Sequence, residues 1–243
     1  MTSFFPNPSP KVQAVGTPQQ VRDDRGTDRN AYLQNATPLT LEGDGYRVLG
    51  PGMERYYGTY ELVELIQQTG ARFAERHGSN PQAYFLVGDL SKRRGGTIRD
   101  RSGRRVHSSH RNGLDVDINY VRKQCGTGSS DQDPKGPYGP LNNPNCRLHL
   151  RENMELLRDF VRGGPGGSSL VSRIFVSDGF VYKACRAARE RPRFRRRYRR
   201  VMSHMKAMPG HQAHFHLRLK CPDNSLRCYD ANVKPRSPCG GRK

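Results

Sequence analysis

The sequence predicts one loop-rich globular domain of short strands and modest helices, and three observations carry that expectation. Only 33% of the 243 residues are hydrophobic, tryptophan is absent, and glycine (26) and proline (17) punctuate the chain. Two stretches, LDVDIN from Leu114 and HFHLRL from His214, alternate apolar and polar residues with the period of a strand. Other segments place apolar residues at helical spacing. A chain of this length has room for one sizeable core, or one domain plus tails.

Residues 1 to about 44 are polar and aperiodic, which predicts an extended or poorly ordered arm, and the domain is expected over 45–243. Leu62, Leu65, Ile66 and Phe73 then share one helical face, so a helix is expected from Tyr60 to Arg76, stopped by Gly78. AYFLVGDLS, from Ala83, reads as a short buried strand ending in a Gly-Asp turn. Residues 92–105 form a Gly/Arg loop, and the alternating run from Leu114 follows it. The long loop 125–147 has a cysteine near each end, which suggests a tie. Leu148–Val161 is helical in pattern, SRIFVSDG is β-rich, and Val181–Ala188 is again helical. A basic block, RPRFRRRYRRVMSHMKAM, precedes the second alternating strand and a Pro/Cys-rich tail.

The formal net charge of +20 directs the protein toward polyanions: nucleic acid, an anionic membrane or an acidic cell-wall polymer. Charge alone does not choose among them, and a solvated arginine-rich surface is the plain alternative. No apolar run approaches the ~18 residues of a membrane span. MTSFFPNPSPKVQAV lacks the basic and apolar regions of a secretory signal, so no signal peptide is expected in the chain as written. The six cysteines, at 125, 146, 185, 221, 228 and 239, contain no CxxC pair. Three disulfides in an oxidising compartment fit this pattern, with buried free thiols as the alternative.

The chemistry concentrates in two short segments that hold five of the eight histidines. In HSSHRNGLDVDINY, from His107, alternation puts Asp115, Asp117 and Asn119 on one strand face and Leu114, Val116 and Ile118 on the other. Gly113 lets the preceding turn bend tightly enough to bring His110 back beside Asp117. Taken alone, this stretch also fits a surface strand with two solvated aspartates. In GHQAHFHLRLKC, His214 and His216 share one strand face, with His211 just upstream. Two histidines and a carboxylate make a three-ligand set that leaves a tetrahedral zinc ion one open position, and a spare imidazole suits a general base. No HExxH occurs, so a helix-borne glutamate base is not expected.

These residues resemble the penicillin-insensitive murein endopeptidases, of the superfamily that includes lysostaphin-type peptidases, D-Ala-D-Ala metallopeptidases and Hedgehog domains. HxxHxxGLDVDI (107–118) and GHxAHFHLRLxCP (210–222) carry the resemblance, with RYYG (55–58), VGDL (87–90), SRIFV (172–176) and Cys185. It implies an α+β fold in which a small antiparallel sheet, flanked by helices, carries the zinc site. It further implies Zn2+ held by His110, Asp117 and His216, with His107 as a ligand or a neighbour. His214 becomes the general base or transition-state stabiliser, His211 a further catalytic imidazole, and Asp115 a support for a ligand histidine or a salt-bridge partner. Cys185–Cys239 and Cys221–Cys228 look like the family's bridges, and Cys125–Cys146 a local addition.

The implied activity is β-lactam-insensitive hydrolysis of D-alanyl–diamino acid cross-links in peptidoglycan stem peptides, in the periplasm or outside the cell. Wall remodelling, phage lysis and an exported toxin are all consistent settings. A D-Ala-D-Ala dipeptidase or carboxypeptidase is the nearest alternative, and a polyanion-binding protein with a non-catalytic zinc site is an alternative of another class. RPRFRRRYRR superficially suits nucleic acid but matches no standard motif, so no specific nucleic-acid partner is expected. The segment after the first motif and the arginine block 189–200 depart from the family pattern. His149 is a candidate for a second metal site, or simply a solvent-facing histidine at a helix start.

Overall fold

The structure, a computed structural model, describes residues 20–22, 31–123, 147–222, 228 and 237–239; Cys125 and Cys146 lie outside these. A seven-stranded sheet forms its centre. In chain order its strands are β1 (Glu42–Gly43), β2 (Tyr46–Val48), β3 (Phe85–Val87), β4 (Asp115–Asn119), β5 (Val171–Val176), β6 (Met205–Ala207) and β7 (His214–Leu219). Across the sheet they run β6-β5-β7-β4-β3-β2-β1. The α-helices among the described residues are α1 (Tyr60–Arg76), α2 (Leu150–Arg162), α3 (Asp178–Glu190) and α4 (Pro192–His204).

The fold is α+β, but its sheet is neither small nor wholly antiparallel. β2 pairs with β3, and β5 with β6, in parallel, while the other neighbours are antiparallel. The connections explain this correction. α1 joins β2 to β3, and α3 with α4 join β5 to β6; a parallel pair needs such a crossover. The edge strands β1 and β6, and β2 next to β1, are two or three residues long, too short to show a sequence period.

α1 begins where the Thr59 hydroxyl accepts from the Leu62 N–H at 3.3 Å, with Glu61 in its first turn and Arg76 in its last, both favourable to the helix dipole. It buries Leu62, Leu65, Ile66 and Phe73, and each such side chain contributes about 1.5–3 kcal/mol by leaving water. Ser177 caps α3 in the same way, accepting from Phe180 N–H at 3.1 Å. His149 turns out to cap α2: its Nδ1 accepts from Glu152 N–H at 3.4 Å.

Val116, Ile118, Phe215 and Leu217 point to one face of the sheet and are fully buried. They share a core there with Leu62, Ile66, Phe160, Phe180 and Tyr198 of the helices. Strand alternation therefore sends Asp115, Asp117, His214 and His216 to the opposite face. Within residues 31–44, ahead of the expected domain start, Leu33 and Leu39 also lie in this core. The basic block, for which the sequence predicts no element, forms α4. Cys185 on α3 is bonded to Cys239, and Cys221 to Cys228, as the resemblance implies. No helix among the described residues is long and apolar enough to cross a membrane.

Candidate metal centre

The site is built on the β4–β7 ladder, in whose register His216 faces Asp117 and His214 faces Asn119. The turn before β4 delivers the remaining histidines. Gly113 adopts a φ of +75°, and a Cβ there would come within 2.6 Å of the Leu33 side chain, so any other residue would be strained and would have to displace Leu33. His110 itself sits in the left-handed region at a φ of 62°. That conformation costs a non-glycine residue about 1–2 kcal/mol, and surrounding structure must hold it in place. Here the His110 N–H reaches the Asp115 carboxylate at 3.4 Å, and its Nδ1 bonds to the Leu90 carbonyl at 2.8 Å.

That second bond fixes the tautomer. A carbonyl only accepts, so Nδ1 carries the proton and donates, and Nε2 presents its lone pair to the site. His216 is fixed in the opposite sense: its Nε2 meets Asp115 Oδ1 at 2.8 Å, leaving Nδ1 for the site. His211 points Nδ1 at the Pro209 and Met208 carbonyls, 3.0 and 3.2 Å away. His107 directs Nε2 at Asp89 Oδ2, 2.7 Å away, and Asp89 in turn accepts from Arg55 at 2.9 Å. These four imidazoles are thus each tied by one nitrogen to a carboxylate or a carbonyl, an arrangement typical of metal-ligating histidines.

The free nitrogens converge on one carboxylate. Asp117 Oδ1 lies 3.2 Å from His110 Nε2, 3.4 Å from His214 Nε2 and 3.6 Å from His216 Nδ1. His107 Nδ1 approaches the other oxygen, Oδ2, at 4.0 Å. His107, His110 and Asp117 can together offer one ligand atom each within a single ion's reach. Two of the converging atoms, His110 Nε2 and Asp117 Oδ1, are buried and lack a hydrogen-bond partner. Native proteins rarely leave such atoms unsatisfied. Ligand atoms around a tetrahedral ion, bonded at about 2.0–2.2 Å, stand about 3.3–3.6 Å apart. The spacing, the nitrogen-and-carboxylate donor set and the orphaned atoms all fit a divalent transition-metal ion.

Electrostatics separate the two aspartates. Burial works against both carboxylates, yet both are held well below the usual range: Asp115 by Arg218 and His216, Asp117 by His110, His214 and His216. Asp115 is satisfied on both oxygens, since Oδ2 also receives Arg218 at 2.7 Å. Asp117 keeps an unsatisfied oxygen, and in that the two carboxylates differ. Burial pushes His214 and His216 below the ordinary histidine value, aided in His216 by the neighbouring His110. His110 is also pressed down by burial, but the Asp117 carboxylate more than offsets this and raises it to about 9, and an ion bound at Nε2 would take the place of that second proton.

All seven residues named from the sequence (His107, His110, Asp115, Asp117, His211, His214 and His216) therefore line one polar face. His211 lies outermost, its ring centroid 5.2 Å from His214 and 5.8 Å from His216. His107 and His214 are each 23% exposed, whereas His110 is sealed, so the site opens on the His107–His214 side. Sequence reasoning missed Asp89, Arg55 and Phe175, whose ring stands edge-on to His216 at 5.3 Å. Asp89 lay within the VGDL motif, where an acid closing a buried strand was the available signal.

Comparison with known proteins bears on this geometry. The model of one family, described as penicillin-insensitive murein endopeptidase, matches residues 25–242. A protein of that name from Yersinia enterocolitica is 29% identical over 222 residues, covering 91% of this chain and 73% of its own. Another, from Pectobacterium atrosepticum, is 30% identical over 226 residues, covering 91% and 71%. A third, from Klebsiella pneumoniae, is 29% identical over 227 residues, covering 88% and 73%.

Proposed function

The chain belongs to the penicillin-insensitive murein endopeptidase family, and from that membership we propose that it is a zinc-dependent peptidase hydrolysing the D-alanyl–diamino acid cross-links of bacterial peptidoglycan. The observation that carries the zinc reading is the convergence of three imidazole nitrogens on Asp117 Oδ1 at 3.2–3.6 Å, two of the four atoms being buried and unsatisfied.

In this reading His110 Nε2, His216 Nδ1 and the Asp117 carboxylate hold the ion, and His107 flanks it on the open side. A bound zinc ion supplies Lewis acidity, lowering the pKa of water to about 7 and polarising the scissile carbonyl. The protein's own groups move the protons. His214, kept neutral by burial and with Nε2 turned inward, takes a proton from the attacking water and returns one to the leaving amine. His211, anchored through Nδ1, orients the outer wall and helps stabilise developing negative charge. Asp115 and Asp89 hold His216 and His107 in their working tautomers. The scheme uses no serine nucleophile, so β-lactams do not acylate it. The two disulfides suit an oxidising compartment, and we place the protein in the periplasm or outside the cell.

The test is hydrolysis of purified cross-linked muropeptide dimers, before and after chelation and after zinc is restored. We expect cleavage to monomers, loss with the chelator, and recovery with zinc. Hydrolysis that survives complete metal removal would overturn the mechanism, and trimming of monomers with dimers left intact would overturn the substrate.

A further inference from the structure

The basic block is unused by the chemistry above, and its structure is unusual. Arg189, Arg191, Arg193, Arg195, Arg196 and Arg199 are exposed at the end of α3 and along α4. Among the described residues, none of their guanidinium groups makes a hydrogen bond or ion pair. The one acid in this stretch, Glu190, is taken by Arg186 at 2.7 Å. Arg197 behaves differently: it turns inward and clamps Glu155 of α2 with bonds of 2.5 and 2.8 Å. The inner face of α4 is further fixed by buried Tyr198, Val201 and Met202. The outer arginines therefore stand on a rigid helix about 20 Å long.

Arg189 and Arg191 gain from the Glu190 carboxylate and, in the case of Arg189, from the C-terminal turn of α3, but the outer arginines along α4 have no such acid beside them. Arginines three and four apart on a helix repel one another. The first turn of α4 holds no acidic residue and no side-chain cap, so cations sit at the positive end of its dipole, where they are disfavoured. A polyanion on this face would relieve both penalties. The aromatic residues of the block are not available for stacking, since Tyr198 is buried and Phe194 packs on it at 4.5 Å. That removes the platform that single-stranded nucleic acid uses. With Val201 and Met202 also inside, no apolar edge remains to enter a bilayer. What is left is a row of guanidinium forks, which pair bidentately with carboxylates.

We infer that the α4 face is a second, non-catalytic contact with murein, binding free stem-peptide carboxylates away from the bond being cut. The inference rests on the proposed substrate, because that polymer supplies closely spaced carboxylates. α4 packs in the helical layer, on the opposite side of the sheet from Asp117 and His216. The two contacts thus engage different parts of the polymer, and the tether keeps the enzyme on an insoluble substrate between cuts.

The test separates retention from hydrolysis. Full-length metal-replete protein is sedimented with purified sacculi on ice over a range of salt, beside a variant carrying Arg193→Gln, Arg195→Gln, Arg196→Gln and Arg199→Gln. We expect the variant to bind sacculi ~10-fold more weakly with a flatter salt dependence. Its melting temperature and its kcat/KM on soluble dimers should stay within about twofold and a few degrees of the parent. Amidating the murein carboxylates should release the parent protein. The inference is overturned if the variant is retained like the parent, if amidated sacculi still bind, or if the parent prefers duplex DNA or anionic vesicles over sacculi. Failure of the parent to cut soluble dimers would instead overturn the catalytic reading, leaving retention to be judged by sedimentation alone.

Discussion

On the helical face of β4 and β7, Val116, Ile118, Phe215 and Leu217 lie fully buried among carbon. On the other face of the same two strands, Asp115, Asp117 and His216 are almost as deeply buried, yet surrounded by charge. One backbone ladder serves both. The apolar face asks for volume and shape, and residues of similar size are exchangeable there. The polar face asks for particular atoms at particular distances, and it keeps two of them unsatisfied in the protein alone. Such burial of charge lowers stability, so the core face must offset what the site face costs.

The largest effect expected from breaking this division is on activity. Replacing a proposed ligand, by His110→Ala or Asp117→Ala, should remove several kcal/mol of transition-state stabilisation, or about 10³-fold in kcat/KM on cross-linked dimers. Each substitution removes one of the two unsatisfied atoms and leaves the other, so the protein should still be folded at the assay temperature. A fall in melting temperature that accounts for the lost activity would mean that these residues serve the fold. Phe215→Ala tests the other face. It should cost about 3–5 kcal/mol in denaturant unfolding, while zinc affinity of the folded fraction stays unchanged.

The supporting residues sharpen the comparison further. Asp89→Asn removes the anchor of His107, and Asp115→Asn that of His216; each should weaken zinc binding about 10–100-fold in a competition titration. If Asp89→Asn leaves affinity untouched, His107 is a neighbour of the ion and not a ligand. The smallest effect on activity belongs to Glu155, on α2 in the helical layer. Burial raises this carboxyl, but Arg197, Tyr198 and Arg158 outweigh it and hold it at about 2, against an ordinary value of 4.5. A folded-state value below the unfolded one stabilises the protein above pH 4.5 and is lost as pH falls toward 2. Glu155→Gln should therefore flatten the acid limb of the stability profile between these values and leave the neutral activity unchanged.

Much of this was legible in the residues themselves. The two-residue period of LDVDIN and HFHLRL placed the strands and their faces, because a pleat alternates side chains whatever it packs against. The span of α1 followed from Leu62, Leu65, Ile66 and Phe73 with Gly78 behind them. The short strands β1, β2 and β6 at the two ends of the sheet were not legible, since two or three residues carry no period and pair only because neighbours offer an open edge. α4 escaped notice for another reason: its apolar positions are diluted by arginines that obscure the pattern of Tyr198, Val201 and Met202. Leu33 and Leu39 were hidden similarly, as isolated apolar residues in a polar stretch.

The sequence by itself determined the donor types, the two strand faces and the tight turn at Gly113, all of which depend on local stereochemistry. Strand alternation alone could not tell Asp115 from Asp117, two acids on one face of one strand, and only the family resemblance gave them different roles. Only the tertiary structure decided that Arg218 and His216 occupy the first, while the second keeps an oxygen without a hydrogen-bond partner. It also decided which nitrogen each imidazole turns inward, through partners as remote in sequence as the Leu90 carbonyl and Asp89. Tautomer and satisfaction depend on atoms brought together by folding, and no spacing along the chain records them.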